Sequence, residues 1–356
     1  PTARTGDGGL DWMTSYLDAT VPSRSEHLWR YTPWSRVHPG NVKTIPEADT
    51  AVFKSEDFSL RQGTRQPLAT TDIARIFLNE ILETTTMVDC DGKEGHVHIH
   101  AGGHAVAAHL HFSCTTSSRV VIHLHGEADW FGLALTGNVR ANAQLSVGII
   151  NELSADSVMV RVDDWSVHRD AQFELATLSM GGHRNKSDIR STLEGSNASL
   201  KQFIAVHGHG TRHDDHHIEI HHQQPHTNSH LLLNAACDDR SHSIGTGALT
   251  IDDVAQHTNA GQVFRNLLLS PSSRAEAIPE LEVLANEVAA AHGAASAPIN
   301  QEQLHYLMSR GLSKQEATSM IVEGFLIDSF TGLDSDFVRD AIQTRLTVHL
   351  ECQLLG

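Results

Sequence analysis

His96-Val97-His98-Ile99-His100 puts three imidazoles on one side of an extended chain and two β-branched apolar side chains on the other. Successive side chains of a strand point to opposite faces, so the run reads as a strand with one face buried. The same period of two recurs in Val121-Ile122-His123-Leu124-His125, Ser157 to Val162, Gln172 to Leu178, Ser199 to Val206 and His217-Ile218-Glu219-Ile220-His221. Gly, Asn, Asp or Ser separates the runs, and no helical pattern interrupts residues 86–275. Three all-β solutions fit: a sandwich, a cupin-type barrel, or a coil of stacked short strands. Turn clusters such as Gly195-Ser196-Asn197, Asp238-Asp239 and Gly245/Gly247 favour the coil, although no strict repeat fixes its period.

On either side the texture changes, which divides the chain into 1–85, 86–296 and 297–356. The first part mixes helical and loop signals. Trp12, Tyr16 and Leu17 fit a short amphipathic turn, and Thr71/Asp72 can cap a helix carrying Ile73, Ile76, Phe77 and Ile81. In the last part Asn300 can cap a helix with Leu304, Leu307 and Met308 that stops at Gly311. Ser313-Lys314-Gln315-Glu316 reads as a capping box, followed by Ala317, Met320, Ile321 and Phe325 on one face. A third helix starts near Asp334 or Ser335. Leu304, Leu307, Met308, Met320, Ile321 and Phe325 are the expected packing residues of these helices.

The chain of 356 residues carries 43 acidic against 26 basic side chains, a formal charge of -17. A general polyanion binder needs a basic surface, so nucleic acid is not an expected partner. No apolar run is long enough to span a bilayer, and the first 20 residues hold no apolar core of a secretory signal. A cytoplasmic protein with no membrane partner is expected. The four cysteines are scattered with no C-x-x-C, so no local zinc knuckle or cysteine-only cluster site is written here. No G-x-x-x-x-G-K-[S/T] loop occurs, so this chain is expected to bind no nucleotide.

Histidine is the anomaly, with 26 residues. Two readings compete. Imidazoles at alternate positions of a strand could share a metal. Alternatively, histidine stands on solvated strand faces, pointing out while Val, Ile and Leu point in, and the dense stretch His207 to His226 is an exposed loop and edge. A cupin metal site needs a carboxylate at a set distance after its H-x-H. After His98 the chain runs Ala101-Gly102-Gly103, and after His125 the Glu127 comes too early. A His-rich metal-dependent β-helix or cupin-like enzyme therefore stays only as the alternative.

Gln256-His257-Thr258-Asn259-Ala260-Gly261-Gln262-Val263-Phe264-Arg265-Asn266-Leu267-Leu268-Leu269-Ser270 resembles the A-Q-x-T-x-x-x-Q-x-x-R-N-L-L-L-S stretch of the SufB/SufD family, scaffold subunits of the SUF iron–sulfur cluster assembly machinery. Pro279 to Glu282, Ala291-His292-Gly293-Ala294, Gln303 to Gly311, Glu316-Ala317 and Ile321 to Phe325 follow in family order. Gly210-Thr211-Arg212-His213-Asp214 looks like the family's G-x-x-R-x-D turn, and Glu26 to Thr32 like the E-x-W-R-Y-T of the SufD branch.

The resemblance implies a mainly β protein: a right-handed parallel β-helix core flanked by N-terminal and C-terminal helical regions. It implies a non-catalytic scaffold working with a SufC-like ABC-type ATPase, docked on residues 297–356 near Tyr306, Arg310 and Gly311. It further implies pairing with a SufB-like paralogue or a second copy, through strands near 250–275 that carry Gln262, Arg265 and Asn266. A transient iron–sulfur cluster would form at that subunit interface with His292 as one ligand. Where family members often carry Cys, this chain has Ala290, so no thiolate is available at that point. Ile278 to Gly293 reads locally as helix. The resemblance implies extended chain for 280–284 and loop for 286–293, and helix propensity is a weak prior against that.

Overall fold

The computed structural model describes residues 15–355. Its core is a parallel β-solenoid whose strands alternate between two sheets, one of ten strands and one of nine. Each coil contributes one strand to each sheet. Val158 of one coil lies beside Arg184 of the next, Arg184 beside His213, His213 beside His242 and His242 beside Arg274. The coils are therefore of unequal length, which is why no strict repeat is visible in the sequence.

One corner of each coil is nonetheless built alike. Asn142, Asp170, Asn197, His226 and His257 all adopt positive φ, between 59 and 63°. Each donates its backbone N–H to the corner of the next coil, to Arg169, Ser196, Pro225, Gln256 and Glu287 in turn. Asn and Asp tolerate the left-handed region because their short polar side chains hydrogen-bond locally.

Inside, Val, Ile, Leu and Phe stack in register. Val97, Ile122, Ile149, Ile204, Leu233 and Phe264 belong to one buried cluster running the length of the solenoid. The histidines of the first runs point away from it as expected: Val97 and Ile99 are fully buried while His98 and His100 are exposed.

Both outer faces are clad. On the ten-stranded sheet lie the N-terminal segment and helix α1 (Ile73–Ile81), whose Tyr16, Trp29, Trp34 and Phe77 pack on Ala107, Trp130 and Val160. Asp72 caps α1 by accepting from the N–H groups of Ala74 and Arg75. Of the expected amphipathic turn, Tyr16 is buried, Leu17 is exposed, and Trp12 lies outside the described residues. Arg75 reaches from α1 to Asp72, Asp164 and Asp188. Burial opposes its charge, but these carboxylates, Asp188 foremost, outweigh that and hold it protonated well above its usual range. Short strands Asp49–Thr50, Val52–Lys54 and Ser59–Thr64, which the sequence did not announce, extend the sheets at this end.

On the nine-stranded sheet lie α2 (Gln301–Ser309), α3 (Lys314–Ile327) and α4 (Asp336–Leu355). The Asn300 cap and the Ser313/Glu316 capping box form as expected. Gly311 ends α2 at φ +102°, a conformation that favours glycine. Glu174 of the sheet accepts from the N–H groups of Asp334 and Ser335 at the start of α4. Leu304 is buried with Ala317, Val322, Leu326, Val338, Ile342 and Leu346. Leu307, Ile321 and Phe325 are partly buried against the same cluster, whereas Met308 and Met320 correct the expectation, being 41% and 51% exposed. No helix among the described residues is long and apolar enough to cross a membrane.

Three further corrections concern the strands. The solenoid runs on through Arg274–Val283 and Ala289–Pro298. Residues 280–283 are extended as expected, whereas 289–293, expected as loop, pair with Asn259 to Val263 as the last strand. The strands near 250–275 are accordingly flanked on both sides, and the free sheet edges belong to the two strands beyond them. The stretch from His207 to His226 is not an exposed loop either. It spans the end of one strand and all of His213–His222, with His207, His216, His217 and His222 buried.

Candidate functional site: the open last coil

Gln262 and His292 sit side by side in neighbouring strands at an inward-facing position. Gln262 is buried and its Nε2 donates to the Glu280 carbonyl at 2.7 Å. A Cβ on Gly247 would lie 2.3 Å from the Gln262 amide oxygen, so only glycine leaves room for that side chain. His292, one coil further, is exposed and makes no hydrogen bond or ion pair within the protein. The same contrast holds along the strand: Phe264 is fully buried and its neighbour Ala294 is exposed. Among the described residues no further coil covers the last one. Ala275, Ala277, Leu281 and Ala290 are half-buried against the end of the core, and Val283 and Leu284 are exposed beside them. The result is a small-residue apolar end face with two unpaired strand edges and one imidazole at its centre.

The other expected contact residues are spread out. Asn266 is buried and donates to Ser296 Oγ, tying the last strand to the coil beneath. Arg265 faces solvent and pairs with Asp328 after α3 at 2.9 Å. Tyr306 is 55% exposed on α2, and the Arg310 guanidinium lies 5.2 Å over its ring. Gly311 follows at the helix end with open space around it. Tyr306, Arg310 and Gly311 thus form one exposed corner, which Met308 adjoins in sequence.

No cysteine lies in the last two coils. Cys237 ends the strand beneath them and is buried, with its thiol pushed up to about 12 by burial. Cys90 and Cys114 are buried near the opposite end, and Cys352 is exposed on α4.

Sequence reasoning missed the polar interior of the middle coils. Arg161 binds both oxygens of Asp163, at 2.7 and 2.6 Å, inside the solenoid, and Trp165 Nε1 donates to the same carboxylate. Ser187, Gln202, His216 and Ser243 also lie buried at inward positions, without protein partners for some of their polar atoms. The parity signal was there: in His213–His222 the buried Ile218 and Ile220 put Asp214, His216 and His222 on the same inner face. Burial pushes the His216 imidazole down to about 4. The Glu26 to Thr32 block seats the N-terminal segment on the outer face, Trp29 under Lys186 and Thr32 donating to Asp215. His27 of that block lies 3.5 Å from Glu280 of the last coil.

Fold and end face together define a two-sheet parallel β-solenoid, clad in helices, with an uncovered terminal coil. Residues 87–325 match the family model described as SUF system FeS cluster assembly, SufBD core domain. The chain belongs to the SufB/SufD family of iron–sulfur cluster assembly proteins. It is 25% identical to an iron–sulfur cluster assembly SufBD family protein of Mycobacterium leprae, over 92% of this chain and 91% of that one. It is 25% identical to the iron–sulfur cluster assembly protein SufD of Escherichia coli over 67% of this chain and 57% of that protein. With SufD of Bacillus subtilis the identity is 30%, over 52% of this chain and 43% of the relative.

Proposed function

We propose that this chain is a non-catalytic scaffold subunit of a SUF assembly complex, pairing through its last coil with a SufB-like paralogue or with a second copy. The observation that carries this reading is the uncovered end face around His292. Unpaired strand edges are a liability that proteins normally blunt with charge, proline or a covering element. Here the companion edge strand 274–283 carries Pro279 and the charges of Glu276, Glu280 and Glu282, but the edge strand 289–298 is mostly alanine, and Ala277 and Leu281 lie half-open beside it. A partner strand continuing each sheet would bury that surface.

In this reading the nascent iron–sulfur cluster is cargo held at the junction. His292 supplies one imidazole, and the softer thiolate ligands come from the partner. A SufC-like ATPase supplies the nucleotide chemistry and docks at the corner made by Tyr306, Arg310 and Gly311, to which the exposed Met308 and Met320 add apolar area.

Co-expression with a SufC-like ATPase and a SufB-like paralogue tests the reading. A stable complex by size exclusion is expected, and Tyr306→Ala with Arg310→Ala should release the ATPase alone. Copurification failing for every pair, with this chain folded and monomeric, would overturn it.

A further inference from the structure

Histidine clusters also lie on the outer faces of both sheets, away from the end face. His96, His98, His100, His123 and His125 form a ladder in which His96 Nδ1 and His123 Nε2 lie 3.0 Å apart, but His98 stacks nearly parallel on His123 at 11° and turns no third nitrogen toward that pair. The donors of Asp188, His217 and Glu219 do converge, within 4.8 Å. There Asp188 is already engaged by Arg75 and Arg190, whose charges oppose a cation.

The third cluster pairs two imidazole nitrogens as the ladder does and sets beside them a third ring with no hydrogen bond of its own. His207 ends the strand Ser199–Gly208 on its outer side, His209 follows in the turn, and His349 comes from α4 laid across them. His207 Nδ1 and His349 Nε2 are 3.0 Å apart. The three ring centres form a triangle with sides of 5.2, 5.6 and 6.1 Å. Three imidazoles sharing one tetrahedral ion at ~2.0–2.1 Å have ring centres about 5 Å apart, so the triangle is close to the size such an ion imposes.

We propose that His207, His209 and His349 bind one divalent transition-metal ion. His209 makes ring contacts only, with no hydrogen bond to hold it, so its ring can turn a nitrogen toward the other two. Imidazole-only sites suit ions of borderline softness such as Co2+, Zn2+, Ni2+ and Fe2+, and not Mg2+ or Ca2+, which take oxygen ligands. Burial keeps all three rings neutral and ready to ligate, and that of His349 is pushed down to about 4. The neighbouring cations are matched: Arg212 pairs with Asp214 at 2.7 Å, and Arg345 with Glu152.

His209 and His349 open onto a cavity of about 560 Å³ that Glu152 and Asp156 also line. A fourth ligand, water or a carboxylate, has room to enter from that side, as in three-histidine sites that keep one position open. The ion would also clip α4 to the sheet, adding stability to the folded state alone.

Titration of the purified full-length chain with Co2+, read by visible absorption, tests the proposal, with Zn2+ as competitor. One saturable site with the intense band of tetrahedral Co2+ is expected. His349→Ala and His209→Ala should each weaken it about tenfold or more, and His123→Ala in the ladder should leave it unchanged. His209 is half-exposed in a turn, so His209→Ala is expected to fold, and circular dichroism checks this. Zn2+ should raise the Tm of the parent and not that of His209→Ala. Binding that survives both substitutions, follows His123 instead, or fails at millimolar Co2+ would overturn the site.

Discussion

The strands Asn259–Leu268 and Ala289–Pro298 lie side by side in register, yet one is interior and the other is surface. Ala260, Gln262 and Phe264 are buried, while Ala290 is half-buried and His292 and Ala294 are exposed. Both strands follow the same alternation, so pattern alone does not decide burial in a solenoid. What decides it is whether another coil comes next. A solenoid has to cap its last coil or lend it to a partner, and this chain's C-terminal helices cover the sheet face instead of the end.

The sharpest way to break this contrast is to mutate the same column in both coils. Phe264→Ala should cost about 3–5 kcal/mol by urea unfolding, because a large buried ring is lost. Ala294→Lys should shift the isolated chain by less than about 0.5 kcal/mol, and abolish pairing. Equal costs would mean that the last coil is packed like the others.

Asp163→Ala tests the closed coils from their polar side. It leaves Arg161 charged and buried with no carboxylate, a change that typically costs about 3–5 kcal/mol. Trp165 Nε1 loses its acceptor at the same time.

Much of the solenoid was legible from its period of two, including the inward Val97, Ile99, Ile122 and Leu124. Its end was not. Ile278 to Gly293 has good helical propensity, and only pairing with the coil beneath makes 289–293 a strand. The coil period was hidden because its marker is a backbone state, the left-handed corner, which Asn142, Asp170, Asn197, His226 and His257 reach with three residue types. His207 to His226 misled for a related reason. Polar residues suggested solvent, whereas parity with Ile218 and Ile220 puts His216 and His222 inside. Of the site, His292 and the Tyr306 to Gly311 corner were visible as family motifs. The His207, His209 and His349 triangle was not, because α4 alone brings His349 to the other two.

Acid should separate the coils next. Burial depresses His109 to about 3, and His123, His213, His216, His222 and His349 to about 4, from an ordinary 6.5. The unfolded chain therefore binds more protons below pH 6.5. The stability these groups contribute is full above that pH and falls away as pH drops from 6.5 through 4. The urea midpoint should fall across that window, and His216→Gln should make the fall shallower. A flat profile would contradict the burial of these rings.

The smallest effect on stability is expected at His292. His292→Ala should leave the urea midpoint of the isolated chain within error, since the side chain touches no partner within it. In the assembled complex it should lower the yield of iron and sulfide per complex. An unchanged yield with the complex intact would make His292 a bystander.

The central claim is that the uncovered last coil is the pairing surface, and hydrogen exchange reads it directly. Peptides covering 274–298, whose outward N–H groups have no partner strand, should exchange faster than 130–268 in the isolated chain and become protected when the SufB-like paralogue is added, while 130–268 stays protected throughout. Protection that appears elsewhere, with 274–298 still exchanging fast in the assembled complex, would contradict the account.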